Sequence, residues 1–344
     1  MSSHSKDKPK VLLLGEIMHA HSSWSSLSSI AEILTPKSTN REDFLKESSS
    51  GAFDGCLAAY RTFASYEITG RIDARLLAAL PPTLKFICHN GAGYDQVDVP
   101  ACTEHGIRVS NTPSAVDDAT ADMGIFLMLG ALRNLNLGMV NLRRGKWRGD
   151  ATTELGHDPQ GKVLGILGMG GIGKNFARKA KVFGMKIRYH NRNRLDEAEE
   201  KEIGGGAEYV DFDTLLAESD VLSLNLPLNP KTRHIISHPE FAKMKKGITI
   251  INTARGAVMD EDALVAALNS GRVQSAGLDV YENEPDSIHP GLLSNPRVIL
   301  VPHMGTWTVE TELKMEEWAI SNVRMAVEEG KLRSIVPEQK GMEQ

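Results

Sequence analysis

The stretch GMGGIG at residues 168–173 follows the apolar run KVLGIL and opens the amphipathic segment GKNFARKAKVFG. Gly168, Gly170 and Gly173 carry the spacing GxGxxG at what the flanking pattern predicts to be a strand-to-helix turn. Few folds need that arrangement. The first glycine allows a tight turn, the second lets a ligand approach the backbone, and the third lets the helix pack closely on the strand. Bare backbone along Gly168, Met169, Gly170, Gly171, Ile172 and Gly173 would then face a pyrophosphate, with a helix N-terminus behind it. A glycine-rich turn without a ligand is the competing reading, and the strand and helix on either side count against it.

The same rhythm extends through the chain. After residue 161, the runs KVLGILG, KIRYH, DVLSLNLP, ITIINTA, SAGLDVY and RVILVPH alternate with helical periodicity, which predicts a doubly wound parallel sheet. The first hundred residues repeat it more loosely in KVLLLG, GCLAAYR, LKFICHN and IRVSN, with DARLLAAL as an intervening helix. Two α/β domains are expected. Residues 117–147 read as one long helix with a wide apolar face, acting as a hinge, and 310–330 as an amphipathic helix returning to the first domain. The serine-rich stretch 22–29 reads as loop or helix start.

Composition narrows the partners. The 344 residues are 41% apolar and 24% charged, enough for a sizeable core in about two domains. A net charge of −5 offers no basic field for nucleic acid or an anionic membrane, so a small soluble molecule is the expected partner. Cys56, Cys88 and Cys102 form no CxxC pair, as in a cytoplasmic protein with reduced thiols, and no metal site is expected. The polar first ten residues read as a disordered start. Arg133 and two asparagines interrupt the apolar segment 124–140, which therefore falls short of a membrane span.

A carboxylate is missing at the end of the strand KIRY. An acid there would bind the ribose 2′-hydroxyl of NAD and repel the 2′-phosphate of NADP. The sequence reads YHNRNR instead, with Asn191 lying 18 residues past Gly173. Asn191 can bond a ribose hydroxyl, and Arg192 and Arg194 can pair with a phosphate. Equally, both arginines can be solvated charges at a strand end. The choice of dinucleotide stays open on the residues.

Three later strand ends carry polar residues: Arg255 in INTARGAVMDEDAL, Asp279 and Glu284 in GLDVYENEP, and His303 in VPHMGTWT. In a doubly wound sheet such ends face the ligand crevice. Reduction of a 2-oxo acid needs a cation to grip the carboxylate, a hydride donor, and an acid for the developing alkoxide. Arg255, a nicotinamide and His303 answer those needs, with Glu284 fixing the imidazole tautomer and favouring its protonated form. Each residue alone has a duller explanation, as helix-start charge, acidic turn or hydrogen-bonded loop histidine.

GMGGIG, NTARG, GLDVYENEP and PHMG, in that order, make the sequence similar to the D-isomer-specific 2-hydroxyacid dehydrogenases over nearly its whole length, and most of all to the fungal D-mandelate dehydrogenases. The resemblance implies two doubly wound α/β domains: a Rossmann domain over 118–305, and a discontinuous, flavodoxin-like substrate domain over 1–117 and 306–344. It also implies a cleft that closes on the cofactor, and a homodimer in which 124–140 is interface. Arg255 would orient the substrate, Glu284 and His303 would form the acid/base pair, and Asp279 would contact the nicotinamide carboxamide. Leu226, Pro227, Thr253, Ala254, His303 and Gly305 would line the rest of the dinucleotide site. In the loop CHNGAGYDQVD, Asn90, Ala92 and Gly93 would receive the substrate carboxylate, and Tyr60, Phe63 and Trp307 would either line a pocket for an apolar or aromatic side chain or fill the site and restrict it to glyoxylate. The implied cofactor is NAD, with NADP open. The implied reaction interconverts D-mandelate and benzoylformate. A glyoxylate or hydroxypyruvate reductase is the alternative, and an NAD(H)-sensing corepressor-like binding protein is the alternative of another class. Glu284 disfavours a formate dehydrogenase, which carries glutamine there, and the chain leaves no room for the regulatory domain of the longer phosphoglycerate dehydrogenases.

Overall fold

A computed structural model describes residues 8–149, 155–203 and 205–341, so most of the expected disordered start lies outside the described residues. The chain divides into two compact units, 1–116 with 307–344 and 117–306. Both joints fall one residue from the boundaries read off the sequence. Asp117 belongs with the second unit because its carboxylate abuts the glycine loop: a Cβ on Gly171 would lie 2.0 Å from its Oδ2.

In the first unit the apolar runs form β1 (Lys10–Leu14), β2 (Glu32–Leu34), β3 (Cys56–Thr62), β4 (Phe86–Asn90) and β5 (Arg108–Ser110). They pair in parallel in the order β2-β1-β3-β4-β5. One face is covered by the helices Arg41–Ser49, Ala74–Ala79 and Val99–Glu104, which bury Phe44, Leu76 and Cys102 with Ile87. Their starts are set by Asn40, Asp73 and Asp98, each accepting an amide hydrogen bond from three residues ahead. The opposite face receives Val309–Glu329, which packs Ala319, Ile320 and Val323 against Tyr60 and Phe86. Thr308 caps that helix, and Gly330 ends it in the left-handed region at φ +67°. The serine-rich stretch forms a short helix, His21–Ser26, and a 3₁₀ turn, Leu27–Ser29.

The second unit contains β6 (Val163–Leu167), β7 (Lys186–His190), β8 (Glu208–Tyr209), β9 (Val221–Leu224), β10 (Ile248–Asn252), β11 (Val273–Leu278) and β12 (Val298–Leu300). All are parallel, in the order β12-β11-β10-β9-β6-β7-β8. The chain winds outward from β6 to β8, then returns beside β6 as β9 and winds the other way. That reversal opens a crevice at the carboxyl ends of β6 and β9, where the glycine loop begins.

The segment expected as one long hinge helix is two helices, Asp117–Leu132 and Leu135–Arg143, bent by 77°. Asn134 makes the break in the left-handed region, at φ +51°. The first helix is a core element: Ala121, Leu127, Met128 and Ala131 are buried with Ile166, Phe176 and Ile251. Small residues bring it close to the sheet, since a Cβ on Gly277 would sit 2.8 Å from that of Leu127. Burial against β11 therefore explains much of the wide apolar face assigned to an interface. Among the described residues no single helix is long and apolar enough to cross a membrane. Leu127→Ala should cost about 2–5 kcal/mol in urea unfolding, because the closely packed sheet cannot collapse into the space. A loss below about 1 kcal/mol would contradict this core assignment.

Candidate active site

The glycines after β6 have separate structural causes. Gly168 turns at φ +98°, and a Cβ there would lie 2.6 Å from the Asn225 carbonyl oxygen. On Gly173 a Cβ would lie 2.4 Å from the Gly168 carbonyl oxygen, so this residue lets the helix Gly171–Val182 start against the strand. Around Gly170 a Cβ would meet nothing within 4 Å. Gly170 is thus the position where backbone faces open space, and as N-cap it supplies no side-chain bond to the helix start. An anionic pyrophosphate fits that cradle. Ile172 is half-buried in the first turn. Met169, by contrast, has its amide bonded to Asn191 Oδ1 at 2.7 Å and its side chain buried, so it supports the loop from behind instead of presenting its N–H to the cofactor.

At the end of β7, the two arginines expected to meet a phosphate differ in position. Arg194 forks onto Glu200, Nε to Oε1 and Nη2 to Oε2, both at 2.8 Å. Glu200 also accepts the Tyr189 hydroxyl at 2.6 Å, and these two donors hold its carboxyl down to about 2. Arg194 is therefore a clamp on the loop, which corrects its expected phosphate role. Arg192 is exposed and has no ion-pair partner among the described residues. Leu226 and Pro227 follow β9, and Thr253 and Ala254 follow β10, so all four stand at carboxyl ends of central strands.

Arg255 also follows β10, where Asn252 organises the turn. The Asn252 side chain donates to the Arg255 carbonyl and accepts from the Ala254 amide, each at 3.0 Å. Gly256 then passes so close to the 281–282 peptide that a Cβ would lie 1.9 Å from the Tyr281 carbonyl carbon. Only glycine permits that approach, and it brings the Arg255 turn against the segment carrying Glu284. Glu284 bonds His303 Nδ1 through Oε1 at 2.6 Å and accepts the Tyr281 amide through Oε2 at 2.8 Å.

His303 is left-handed, at φ +53°, a conformation costing a residue with a Cβ ~1–3 kcal/mol. Asp279, almost fully buried at the end of β11, holds it there. Its carboxylate oxygens accept the amides of Met304 at 2.5 Å and Gly305 at 2.8 Å, while its carbonyl accepts the His303 amide at 2.9 Å. Sequence reasoning assigned Asp279 to the cofactor carboxamide and missed this anchoring of the histidine loop. Its legible signal was an acid in an otherwise apolar strand end.

In the first unit, the loop after β4 has all three of its leading carbonyls held from behind. Gly91 O accepts the Thr112 amide at 2.9 Å, Ala92 O the Asn111 side chain at 2.8 Å, and Gly93 O lies 2.9 Å from His89 Nε2. The amides of Gly91, Ala92 and Gly93 donate to no group among the described residues. Consecutive free amides suit an anion. Tyr60, expected to line a side-chain pocket, is instead fully buried in β3, edge-on to Trp24, with its hydroxyl accepting from Asn90 Nδ2 at 3.0 Å. Strand alternation turns it toward the helix Val309–Glu329, which removes it from the pocket. Phe63 and Trp307 are exposed.

Residues 125–305 match the family model described as the D-isomer specific 2-hydroxyacid dehydrogenase NAD binding domain. The chain is 58% identical to 4-methyl-2-oxopentanoate reductase A of Aspergillus oryzae, over 97% of this chain and 99% of the relative. Its fold is similar to a glyoxylate reductase from Paecilomyes thermophila, with TM-score 0.92 and 54% identity over 97% of this chain and 99% of that one. It is also similar to the holo form of Rhodotorula graminis D-mandelate dehydrogenase, with TM-score 0.91 and 33% identity over 96% and 98%.

Burial pushes the Asp279 carboxyl up to about 6, against the pull of the Met304 amide, His303 and the Gly305 amide. A carboxyl raised in the folded state contributes most to stability below its unfolded pKa, and the contribution falls as pH rises through the folded value. Urea unfolding should therefore show wild type losing stability relative to Asp279→Asn between about pH 4 and pH 6. A constant difference across that window would contradict the burial argument.

Proposed function

The chain belongs to the D-isomer specific 2-hydroxyacid dehydrogenase family, and from that premise we propose that it reduces a 2-oxo acid with an apolar side chain to the D-2-hydroxy acid. The glycine loop would hold NAD(P)H, which when bound would supply the hydride. The observation that carries the reading is the 2.6 Å bond between Glu284 and His303 Nδ1. With Nδ1–H directed at a carboxylate, the ring is fixed in orientation, and a proton on Nε2 serves the carbonyl oxygen as that oxygen gains charge. For oxidation the same nitrogen accepts the hydroxyl proton. Arg255 binds and polarises the 2-oxo carboxylate group, and the amides of Ala92 and Gly93 receive carboxylate oxygens.

Support for an apolar substrate side chain comes from two sides. The 58% identical relative is named for 4-methyl-2-oxopentanoate, whereas identity to the D-mandelate dehydrogenase is 33%. In the first unit Met18, Phe63, Tyr66 and Trp307 are exposed large apolar residues. A branched aliphatic 2-oxo acid is accordingly placed ahead of benzoylformate, the aromatic substrate implied by the sequence. For the cofactor, Arg192 is the cation available to a 2′-phosphate, and no acid stands at Asn191 to repel one. Exposed Phe126, Leu135, Met139 and Leu142 support a homodimer through the second unit.

Initial rates with 4-methyl-2-oxopentanoate, benzoylformate, hydroxypyruvate and glyoxylate, each with NADH and NADPH, test the substrate reading. The expected order of kcat/KM puts 4-methyl-2-oxopentanoate first. Glyoxylate in first place would instead support the small-substrate reading suggested by the 54% identical glyoxylate reductase, and negligible turnover of all four would favour a dinucleotide sensor. His303→Ala should lower kcat by roughly 10²–10⁴-fold with dinucleotide affinity retained, and near-normal turnover would remove its acid/base role. Arg192→Ala and Asn191→Asp should each raise KM for NADPH by about tenfold and spare NADH, and equal effects on both cofactors would show that this loop does not read the phosphate.

A further inference from the structure

Arg61 sits in the middle of an apolar strand, in CLAAYRT, and its side chain is fully buried. Buried guanidinium groups are normally matched by carboxylates, because an uncompensated charge away from water is costly. No carboxylate lies within ion-pair distance of Arg61 among the described residues, although that of Asp95, in the same loop, attracts it from farther off, and its Nε has no hydrogen-bond partner. Its two contacts are uncharged groups of the loop region: Nη1 meets His89 Nδ1 at 3.0 Å, and Nη2 donates to Gln96 Oε1 at 2.5 Å.

These contacts determine more than packing. A guanidinium only donates, so Nδ1 of His89 must accept, and the ring proton therefore resides on Nε2. Nε2–H then donates to Gly93 O at 2.9 Å. The loop is gripped at both ends, with His89 holding Gly93 and Gln96 lying just beyond it. Gly91 is part of the same fit, since a Cβ there would come within 2.6 Å of His89 Nε2. The result is a loop whose Gly93 carbonyl is held by the imidazole that Arg61 orients, while the amides of Gly91, Ala92 and Gly93 are left without a partner among the described residues.

We infer that Arg61 is the electrostatic anchor of this loop, a positioning residue acting through His89 and Gln96, whose buried charge, with no carboxylate in contact, favours the carboxylate of the bound 2-oxo acid at the loop's amides. This deepens the proposed reaction and rests on the reading that the Ala92 and Gly93 amides receive that carboxylate. The charge lies behind the loop instead of on the substrate, so it favours anion binding without competing for the reacting carbonyl. The relay from the guanidinium through the imidazole ends on the Gly93 carbonyl, whose peptide N–H belongs to Tyr94, so it acts on the Ala92 and Gly93 amides by fixing where they stand.

Gln96→Glu gives the most direct test, because it is nearly isosteric and places a carboxylate against Nη2. The variant supplies Arg61 with an internal counter-ion, so it should melt no lower than wild type and yet raise KM for the 2-oxo acid by about tenfold, with a smaller change in kcat. The dissociation constant of oxamate, a carboxylate inhibitor, should rise by the same factor in the NADH complex. Arg61→Met and His89→Phe should raise both by about 10- to 100-fold, and His89→Gln, which can still accept from Arg61 and donate to Gly93, should recover much of the loss. If Arg61→Met does not fold, Gln96→Glu and the two His89 variants decide. Wild-type KM and oxamate affinity in Gln96→Glu and His89→Phe, with 2-oxo acid turnover in wild type, would overturn this inference and leave the proposed reaction standing. Absence of turnover in wild type would remove the proposed reaction itself.

Discussion

The imidazole of His303 is useful only where it stands, and its position depends on the carboxylate of Asp279. Two amide hydrogen bonds and a main-chain bond from the residue after β11 hold a histidine in the left-handed region, with Nδ1 within 2.6 Å of Glu284. The strained conformation of one residue is held by hydrogen bonds at both oxygens of a buried carboxylate. The neighbouring turn is organised in the same way: Asn252 bridges the peptide bonds around Arg255, and Gly256 lets that turn rest on the Tyr281 peptide. Arg255, Glu284 and His303 are thus fixed by backbone bonds at the carboxyl ends of β10, β11 and β12.

Under the proposed function both units would solve one problem, binding an anion without crowding it, with different backbone devices. In the second unit the device is a glycine at a helix N-terminus, with open space at Gly170 and close contacts at Gly168 and Gly173. In the first it is an irregular loop whose carbonyls are withdrawn by Thr112, Asn111 and His89. A helix start orients its amides by its own geometry. A loop needs side chains to do so, which is why buried polar residues collect beneath residues 91–96.

Much of this was legible in the sequence. The β-branched runs marked most of the strands, and the glycine spacing, the arginine, the glutamate and the histidine marked positions that the fold places at the carboxyl ends of strands, with Glu284 on His303, because each motif is local and carries its own physical reason. What escaped the sequence depended on partners distant along the chain. Tyr60 read as a pocket aromatic, but alternation along β3 turns it to the core, whereas the same alternation turns Arg61 toward the loop. Arg194 read as a phosphate contact because nothing in YHNRNR shows that Glu200 will fold back on it. The break at Asn134 was hidden inside an apolar run long enough for one helix, since a single left-handed residue leaves no periodicity signal.

In the proposed reaction the chain directs a hydride from the nicotinamide to one face of a 2-oxo acid and a proton to its oxygen. The most direct measurement is reduction of 4-methyl-2-oxopentanoate with cofactor deuterated at the transferred nicotinamide position, followed by chiral analysis of the product. One deuterium on C2 in a product of D configuration alone is the predicted result. An L or racemic product, or one without deuterium on C2, would contradict the account.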